Sequence, residues 1–311
     1  MRSAAVSRGE PRQMPGQPIT NALTIDVEDY FQVSALAPYI PRDQWHLREC
    51  RVERNVERVL LMLEEQQTRA TFFTLGWIAE RYPHLVRCIV DAGHELASHG
   101  YGHQRASDLN EADFSADVGR AKKLLEDLSG QQVRGYRASS FSIGQANLWA
   151  FDCLQEAGYC YSSSIYPIRH DHYGMPGAPR FAHRVNCGLL ELPVTTARFF
   201  DRNWPASGGG YFRLLPYALS RWLLQKVNQL DGQPAIFYFH PWEIDAAQPR
   251  IAGISAKTRF RHYVNLQHTE GRLKRLLADF NWGRMDEVFL GTPDGLAAVA
   301  HNARIGIVGA G

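Results

Sequence analysis

Two histidines four residues apart follow a short apolar run in the first half of the chain. His99 and His103 come after Glu95-Leu96-Ala97-Ser98, at a spacing that can aim both imidazoles at one point. Two converging nitrogen donors are half of a zinc or other divalent-metal site. An acidic cluster ends an earlier apolar run, Leu23-Thr24-Ile25-Asp26-Val27-Glu28-Asp29-Tyr30. A carboxylate from this cluster would complete a site of two nitrogens and one oxygen, with open positions for water and substrate.

The length of the chain allows a large buried core, and its charge balance does not favour the binding of polyanions. A chain of 311 residues is an ordinary length for one barrel with an appendage. The 34 basic and 32 acidic side chains leave a formal charge of +2, which does not favour nucleic acid or an anionic membrane as a partner. Five scattered cysteines without a CxxC motif predict reduced thiols in a cytoplasmic compartment.

The two ends of the chain look unlike the rest. Residues 1–18 lack the apolar run of a signal peptide and are predicted to be a disordered leader, and residues 291–311 are predicted to be a flexible tail. No segment approaches the about 18 consecutive apolar residues that cross a bilayer, so we expect no membrane span.

Short β-type runs alternate with amphipathic segments along most of the sequence. Strands are predicted at 22–27, 70–75, 95–97, 133–137, 159–162 and 234–240, and helices at 52–65, 78–91, 110–128, 146–157, 215–230 and 268–280. This alternation predicts a parallel sheet that can close into a barrel. Segment 166–212 does not show this alternation of strands and helices. Its Gly208-Gly209-Gly210 run is predicted to exclude regular structure. We interpret this segment as an insertion beside the site.

Polar residues of the kind used in hydrolysis lie at the C-terminal ends of the predicted strands. They are Asp26, Glu28, His99, His103, Arg137 and His240. The C-terminal ends of parallel barrel strands share one face, where the active sites of such barrels are built. We therefore expect these side chains to meet.

Four of these motifs occur in a familiar order. Asp26 with its acidic neighbours, His99-x3-His103, Tyr136-Arg137-Ala138-Ser139 and Phe239-His240 resemble the polysaccharide deacetylases with a NodB-homology domain, carbohydrate esterase family 4, over about 21–245. The segments at 26–31, 208–213 and 259–265 further resemble the subgroup found with exosortase and exopolysaccharide gene clusters. That likeness extends to about residue 285.

The resemblance implies an α/β fold, a distorted (β/α) barrel with a C-terminal extension. The deacetylase domain would occupy 19–250 and the extension 251–290. The implied activity is the metal-dependent removal of acetyl groups from N-acetylated sugars of a polysaccharide, in exopolysaccharide biosynthesis. Zinc is the favoured ion, and the implied partners are the glycan and proteins of exopolysaccharide assembly.

The resemblance also assigns roles. Amide hydrolysis needs a base for the water proton and an acid for the departing amine. By similarity Asp26 is the base and His240 the acid, while Arg137 orients Asp26 and holds it ionised. His99 and His103 would bind the metal.

The metal carboxylate stays open between two residues. The commonest family pattern has two adjacent aspartates, whereas Val27 takes the second position here. Glu28 is therefore the first choice and Asp29 the second. His94, which precedes the third predicted strand, is expected to have a hydrogen-bonding role instead of a ligand role.

One departure from the subgroup leaves two alternatives in view. In this subgroup the segment after Gly158-Tyr159 usually carries an aspartate before paired serines, but this chain has Tyr161-Ser162-Ser163-Ser164, so the tuning of His240 is in question. One alternative is a small-molecule cyclic amide or imide hydrolase on the same barrel, which a pocket closed by segment 166–212 would favour. The other is a non-catalytic glycan-binding or scaffold protein.

Overall fold

The computed structural model describes residues 19–170 and 174–291. The predicted leader lies outside the described residues, and so does the predicted tail beyond residue 291. The strands are Thr20–Val27 (β1), Thr71–Thr74 (β2), Glu95–Ser98 (β3), Gly135–Tyr136 (β4), Tyr161–Ser162 (β5), His183–Arg184 (β6), Leu190–Glu191 (β7), Thr196–Phe199 (β8), Arg202–Pro205 (β9), Ile236–Phe239 (β10) and Asn281–Gly283 (β11).

The helices lie mostly between these strands in the sequence. They are Val52–Glu65 (α1), Gly76–Arg81 (α2), Pro83–Asp91 (α3), Glu111–Ser129 (α4), Ala150–Glu156 (α5), Gly209–Leu214 (α6), Tyr217–Lys226 (α7), Ala256–Tyr263 (α8), Leu266–Asp279 (α9) and Met285–Phe289 (α10). None of the helices in the described part of the chain combines the length and apolar character that a bilayer crossing requires.

One curled sheet organises the fold. Its strand order is β10-β1-β2-β3-β4-β5-β7-β6, and β11 pairs with the start of β1. The neighbours are parallel except for β6 and β7. Because the strands are parallel, the motifs that follow β1, β3, β4 and β10 reach the same edge. The predicted barrel-type α/β fold is confirmed.

The two faces of β1 show why the strand must be central. Leu23, Ile25 and Val27 pack into the apolar layer beneath the helices, whereas Ala22 packs with Phe73 in the interior of the curl. Side chains alternate between the faces of a strand, so Asp26 lies on the inner face, at the end of the strand. The sequence pattern thus places a carboxylate in the mouth of the curl.

The predicted helix at 78–91 is wrong in one respect. The structure has two helices there, and Pro83 begins the second of them at its first position. Proline lacks an amide proton and suits the start of a helix better than its interior. The helical character was predicted correctly, but the break was missed.

Segment 166–212 is more regular than expected. It contains β6 and β7, of which β7 pairs with β5 in the main sheet, and a separate β8–β9 hairpin. The expectation that Gly208–Gly210 excludes regular structure is wrong, because α6 begins at Gly209. Gly208 has a φ of 35°, and a Cβ there would lie 1.7 Å from the carbonyl oxygen of Tyr238. Glycine is needed for this close approach to β10, not to break the chain.

Candidate active site

A sharp turn after β3 brings the two histidines together. Gly100 has a φ of 76°, and a Cβ there would lie 2.8 Å from a carboxylate oxygen of Asp117. That carboxylate accepts the amides of Tyr101 at 2.9 Å and Gly102 at 3.3 Å. His103 itself has a φ of 54°, which is uncommon for a residue other than glycine. The turn leaves the ring centres of His99 and His103 5.3 Å apart.

Glu28 joins these two rings in a buried cluster. One ligand atom from each of Glu28, His99 and His103 lies within 4.8 Å of the others. Glu28 Oε2 lies 3.0 Å from His103 Nε2, yet it makes no well-directed hydrogen bond in the described part of the chain. A buried carboxylate oxygen that faces ring nitrogens in this way is suited to share a cation with them.

The electrostatics of the cluster also suit a cation. His99 Nδ1 lies 2.8 Å from the carbonyl oxygen of Arg137, which leaves Nε2 as the free donor atom when Nδ1 carries the proton. Burial lowers the pKa of His99 to about 4, so the ring is neutral at physiological pH. Burial alone would raise the pKa of Glu28, but His103 and His240 outweigh it and hold that pKa well below its usual value. A neutral imidazole, as in His99, and an ionised carboxylate are the forms that bind a metal.

Asp29, the other candidate carboxylate, is occupied elsewhere. Its Oδ1 accepts the amide of Tyr30 at 2.8 Å, and its Oδ2 accepts the amides of Arg51 at 2.5 Å and Val52 at 2.9 Å. These contacts fix the start of α1 against the turn that follows β1. Asp29 is not a member of the cluster formed by Glu28, His99 and His103.

Asp26 and Arg137 form a buried ion pair beside the cluster. Arg137 Nη1 donates to Asp26 Oδ1 at 2.6 Å and to Thr24 Oγ1 at 2.8 Å. Its Nη2 donates to Ser163 Oγ at 3.0 Å, and the guanidinium lies 4.1 Å from the Phe73 ring centre. The arginine is fully buried, so these contacts hold it rigidly. The pair gives Asp26 one defined orientation, with Oδ1 held by Arg137.

His240 completes the set from the end of β10. Its Nε2 lies 3.0 Å from Glu28 Oε1 and 3.9 Å from Asp26 Oδ2, and its Nδ1 lies 3.3 Å from Glu243 Oε1. Burial by itself would lower the pKa of His240, but Glu28 and Glu243 outweigh it and raise that pKa to about 10. Its side chain is 16% exposed, against 3% for Asp26 and 4% for Glu28. His240 is therefore the member of the set most open to solvent.

The structure also answers the questions raised by Ser162 and His94. The carboxylates within 4 Å of His240, among the residues described, are those of Asp26, Glu28 and Glu243, and the Ser162 hydroxyl instead donates to Ser164. His94 lies at the opposite end of β3, where its Nδ1 accepts the amide of Ala70 at 3.2 Å. The hydrogen-bonding role predicted for His94 is confirmed.

Two residues near the site were missed from sequence. Glu243, which contacts His240, lies three residues after it in the sequence. An inspection of the acids close to His240 in the sequence could have found it. Arg213, which pairs with Glu243 at 3.3 Å, lies in the segment that resembles the exopolysaccharide subgroup but was given no role.

Comparison with known proteins bears on both halves of the chain. Residues 43–160 match the polysaccharide deacetylase family, and residues 163–290 match a domain of unknown function, DUF3473. A peptidoglycan-N-acetylglucosamine deacetylase of Bacillus cereus is 32% identical over 94 residues, which are 30% of this chain and 34% of the relative. The chain thus spans about a third of the length of this curated relative.

Two solved structures share the fold. A Mycobacterium smegmatis protein assigned to the polysaccharide deacetylases has a TM-score of 0.56 and 21% identity, over 97% of this chain and 96% of that one. The allantoinase Puue has a TM-score of 0.54 and 14% identity, over 92% and 96%. At these identities the likeness establishes the fold alone.

The two matched regions contain most of the candidate site, whereas Asp26 and Glu28 precede both of them. His99, His103 and Arg137 lie in the region that matches the polysaccharide deacetylase family, and His240 lies in the DUF3473 region. Both regions contribute strands to the same sheet. The chain therefore contains a region that matches the polysaccharide deacetylase family, followed by a region that matches DUF3473.

Proposed function

We propose that this protein is a metal-dependent N-deacetylase that removes acetyl groups from the N-acetylated sugars of a polysaccharide. One observation carries the proposal: Glu28, His99 and His103 converge within 4.8 Å, and both Asp26 and His240 lie beside them. A base, an acid and a set of metal donors at one sheet edge are the groups that amide hydrolysis requires.

The ligands in this proposal are Glu28, His99 and His103. A divalent ion held there would act as a Lewis acid on the acetyl carbonyl and on the attacking water. Asp29 is left out because its oxygens already accept backbone amides at the start of α1. We propose zinc, because two imidazoles, one carboxylate and open positions are a common arrangement in catalytic zinc sites.

The side chains of the site would then move two protons. Asp26 takes a proton from the attacking water while Arg137 holds its Oδ1 at 2.6 Å. The hydroxyl oxygen bonds to the acetyl carbon, and the carbon–nitrogen bond breaks. His240 donates a proton to the departing nitrogen, which leaves as the free amine of the sugar, and acetate is the other product.

The substrate class rests on relatives. The Bacillus cereus relative is named for peptidoglycan N-acetylglucosamine, and the matched family is described as polysaccharide deacetylase. A role in exopolysaccharide assembly, with proteins of that machinery as partners, is supported by the resemblance of segments 208–213 and 259–265 to the exopolysaccharide subgroup. A cytoplasmic location remains a prediction from the cysteine pattern, and the five cysteines are unpaired in the structure.

Acetate release from a panel of N-acetylated glycans, with and without a metal chelator, tests this function. We expect release from at least one glycan, loss of release with the chelator, and recovery when zinc is added back. Ring opening of a cyclic amide such as a hydantoin, without acetate release from any glycan, would support the small-molecule alternative. Stoichiometric glycan binding without release would support the non-catalytic alternative.

A further inference from the structure

We propose that Glu243 is a positioning residue for His240, and that Arg213 holds Glu243 in place from the DUF3473 region. The inference rests on the proposed function, in which His240 is the acid. It assigns a task to the two segments, 208–213 and 259–265, that the catalytic residues leave unexplained.

Three buried atoms meet behind the catalytic ring. Glu243 Oε1 lies 3.3 Å from His240 Nδ1 and 3.3 Å from Arg213 Nε. None of these three atoms makes a well-directed hydrogen bond to any residue in the described ranges. The side chains of Glu243 and Arg213 are only 2% and 3% exposed. A buried polar atom needs a polar partner, so we assign these three atoms to one another as partners.

Arg213 is anchored by the C-terminal part of the chain. Its Nη1 donates to the carbonyl oxygens of His262 at 2.7 Å and Val264 at 3.2 Å, and its Nη2 donates to that of Arg261 at 3.1 Å. These carbonyls lie at the end of α8, where a cation also interacts well with the exposed carbonyl groups of the helix. The position of Glu243 is thus fixed by a segment that supplies no residue of the catalytic set.

The His240 ring is also part of a stack of three aromatic rings. Trp242 stacks on His240, with ring centres 5.4 Å apart and planes 22° apart, and on His262, with 4.5 Å and 13°. Arg213 lies 5.1 Å from the Trp242 ring centre. His262 Nε2 is fixed in turn by Gln248 Oε1 at 2.8 Å. Rotation of the His240 imidazole would disturb both the stack and the contact with Glu243.

The geometry divides the two nitrogens of the imidazole between two tasks. Nδ1 faces Glu243, so Nε2 points toward Glu28 and Asp26, where the reaction is proposed to occur. A carboxylate next to Nδ1 keeps Nε2 directed into the site, as an orienting acid does in other acid–base pairs. Glu243 therefore supplies, from the turn after β10, the carboxylate next to His240 Nδ1.

The test compares an amide substrate with an activated ester. Glu243→Gln should lower kcat on an N-acetylated glycan by about 10- to 100-fold, below the about 10²- to 10⁴-fold typical of the acid itself. KM should change little, and an activated acetate ester should lose much less, because its leaving oxygen needs no proton. In the His240→Ala background the same substitution should cause no further loss.

Asp245, two residues after Glu243, provides a matched control. Asp245 has a 3% exposed side chain and pairs with Arg51 at 2.6 Å, but it does not contact His240 among the described interactions. Asp245→Asn should lower stability and leave the ratio of amide to ester rates unchanged. If Glu243→Gln unfolds the protein, Glu243→Met combined with Arg213→Met removes both charges together, which buried pairs often tolerate. This double variant should show the same selective loss on amides.

A spectroscopic readout separates the inference from the proposed function. The ¹⁵N resonance of His240 Nδ1 should shift, and its proton should exchange faster, in the double Met variant but not in Asp245→Asn. This holds even if wild-type protein releases no acetate from any glycan. Equal losses on amide and ester, a further loss in the His240→Ala background, or an unchanged Nδ1 resonance would each overturn the inference.

Discussion

His99 Nδ1 lies 2.8 Å from the backbone carbonyl oxygen of Arg137, while the guanidinium of the same arginine contacts Asp26 at 2.6 Å. The backbone of one residue thus aims a proposed metal ligand, and its side chain holds the proposed base. Because the two contacts use different parts of Arg137, substitution of the side chain should separate them.

Arg137→Met should destabilise the protein strongly. The substitution leaves the Asp26 carboxylate buried without its cation, and the breaking of a buried pair costs about 3–5 kcal/mol. Urea denaturation measures the loss. Arg69→Met is the control, because Arg69 pairs with Glu287 at 2.9 Å near the surface, where such pairs contribute about 1 kcal/mol or less. Similar losses in the two variants would contradict the structural role of Arg137.

The proposed ligand set predicts opposite results for the two neighbouring acids. His99→Ala, His103→Ala and Glu28→Gln should each lose bound metal, because each removes one of three protein ligands. Asp29→Ala should keep the metal, yet lose about 1–3 kcal/mol of stability, because it leaves buried amides at the start of α1 unpaired. The metal content of each variant, measured by elemental analysis, shows whether Glu28 or Asp29 is the carboxylate ligand. Near-stoichiometric metal in Glu28→Gln would show that the carboxylate ligand is another residue.

Asp26→Asn should separate turnover from metal binding. Asparagine keeps the shape of the side chain but cannot accept the water proton, so kcat should fall by about 10²- to 10⁴-fold. Metal content should stay near that of the wild type, since Asp26 is not among the three clustered ligands. A variant with nearly normal turnover would mean that a different group takes the proton.

His94 should make the protein sensitive to acid. Burial lowers the pKa of His94 to about 4, whereas the unfolded chain has the ordinary value of 6.5. The neutral ring is therefore favoured in the fold, and its contribution is fully present above pH 6.5 and is lost as the pH falls toward 4. The expected loss is about 3 kcal/mol.

The measurement is the difference in unfolding free energy between wild type and His94→Gln from pH 7 to pH 4. A difference is needed because burial raises the pKa of the adjacent Glu95 to about 7, which acts in the opposite sense over part of the same range. The wild type should lose more stability than the variant on acidification. Parallel curves for the two proteins would exclude the His94 contribution.

The sequence predicted which of these side chains meet better than it predicted the contacts that hold them in place. Asp26 lies near the end of β1, and His99, Arg137 and His240 follow β3, β4 and β10, so the parallel strands bring all four to one edge of the sheet. The choice between Glu28 and Asp29 could not be made, because it depends on the turn that directs Asp29 toward the start of α1.

The contacts of Arg213 depend on distant chain segments. It lies 30 residues before Glu243 and 48, 49 and 51 residues before the residues whose carbonyl oxygens hold it. No local period or propensity encodes such a meeting, which follows only from the packing of α6 and α8. The break at Pro83, by contrast, has a clear local signal.

The most direct test of the account is a parallel titration of bound metal and acetate release. The protein is stripped with a chelator, and zinc is then added back in steps while acetate release from a panel of N-acetylated glycans is measured. We predict that activity disappears with the metal and returns in proportion to occupancy, saturating at about one ion per chain, as three clustered ligands require. Full activity in the metal-free protein, or stoichiometric metal without acetate release from any glycan, would contradict the account.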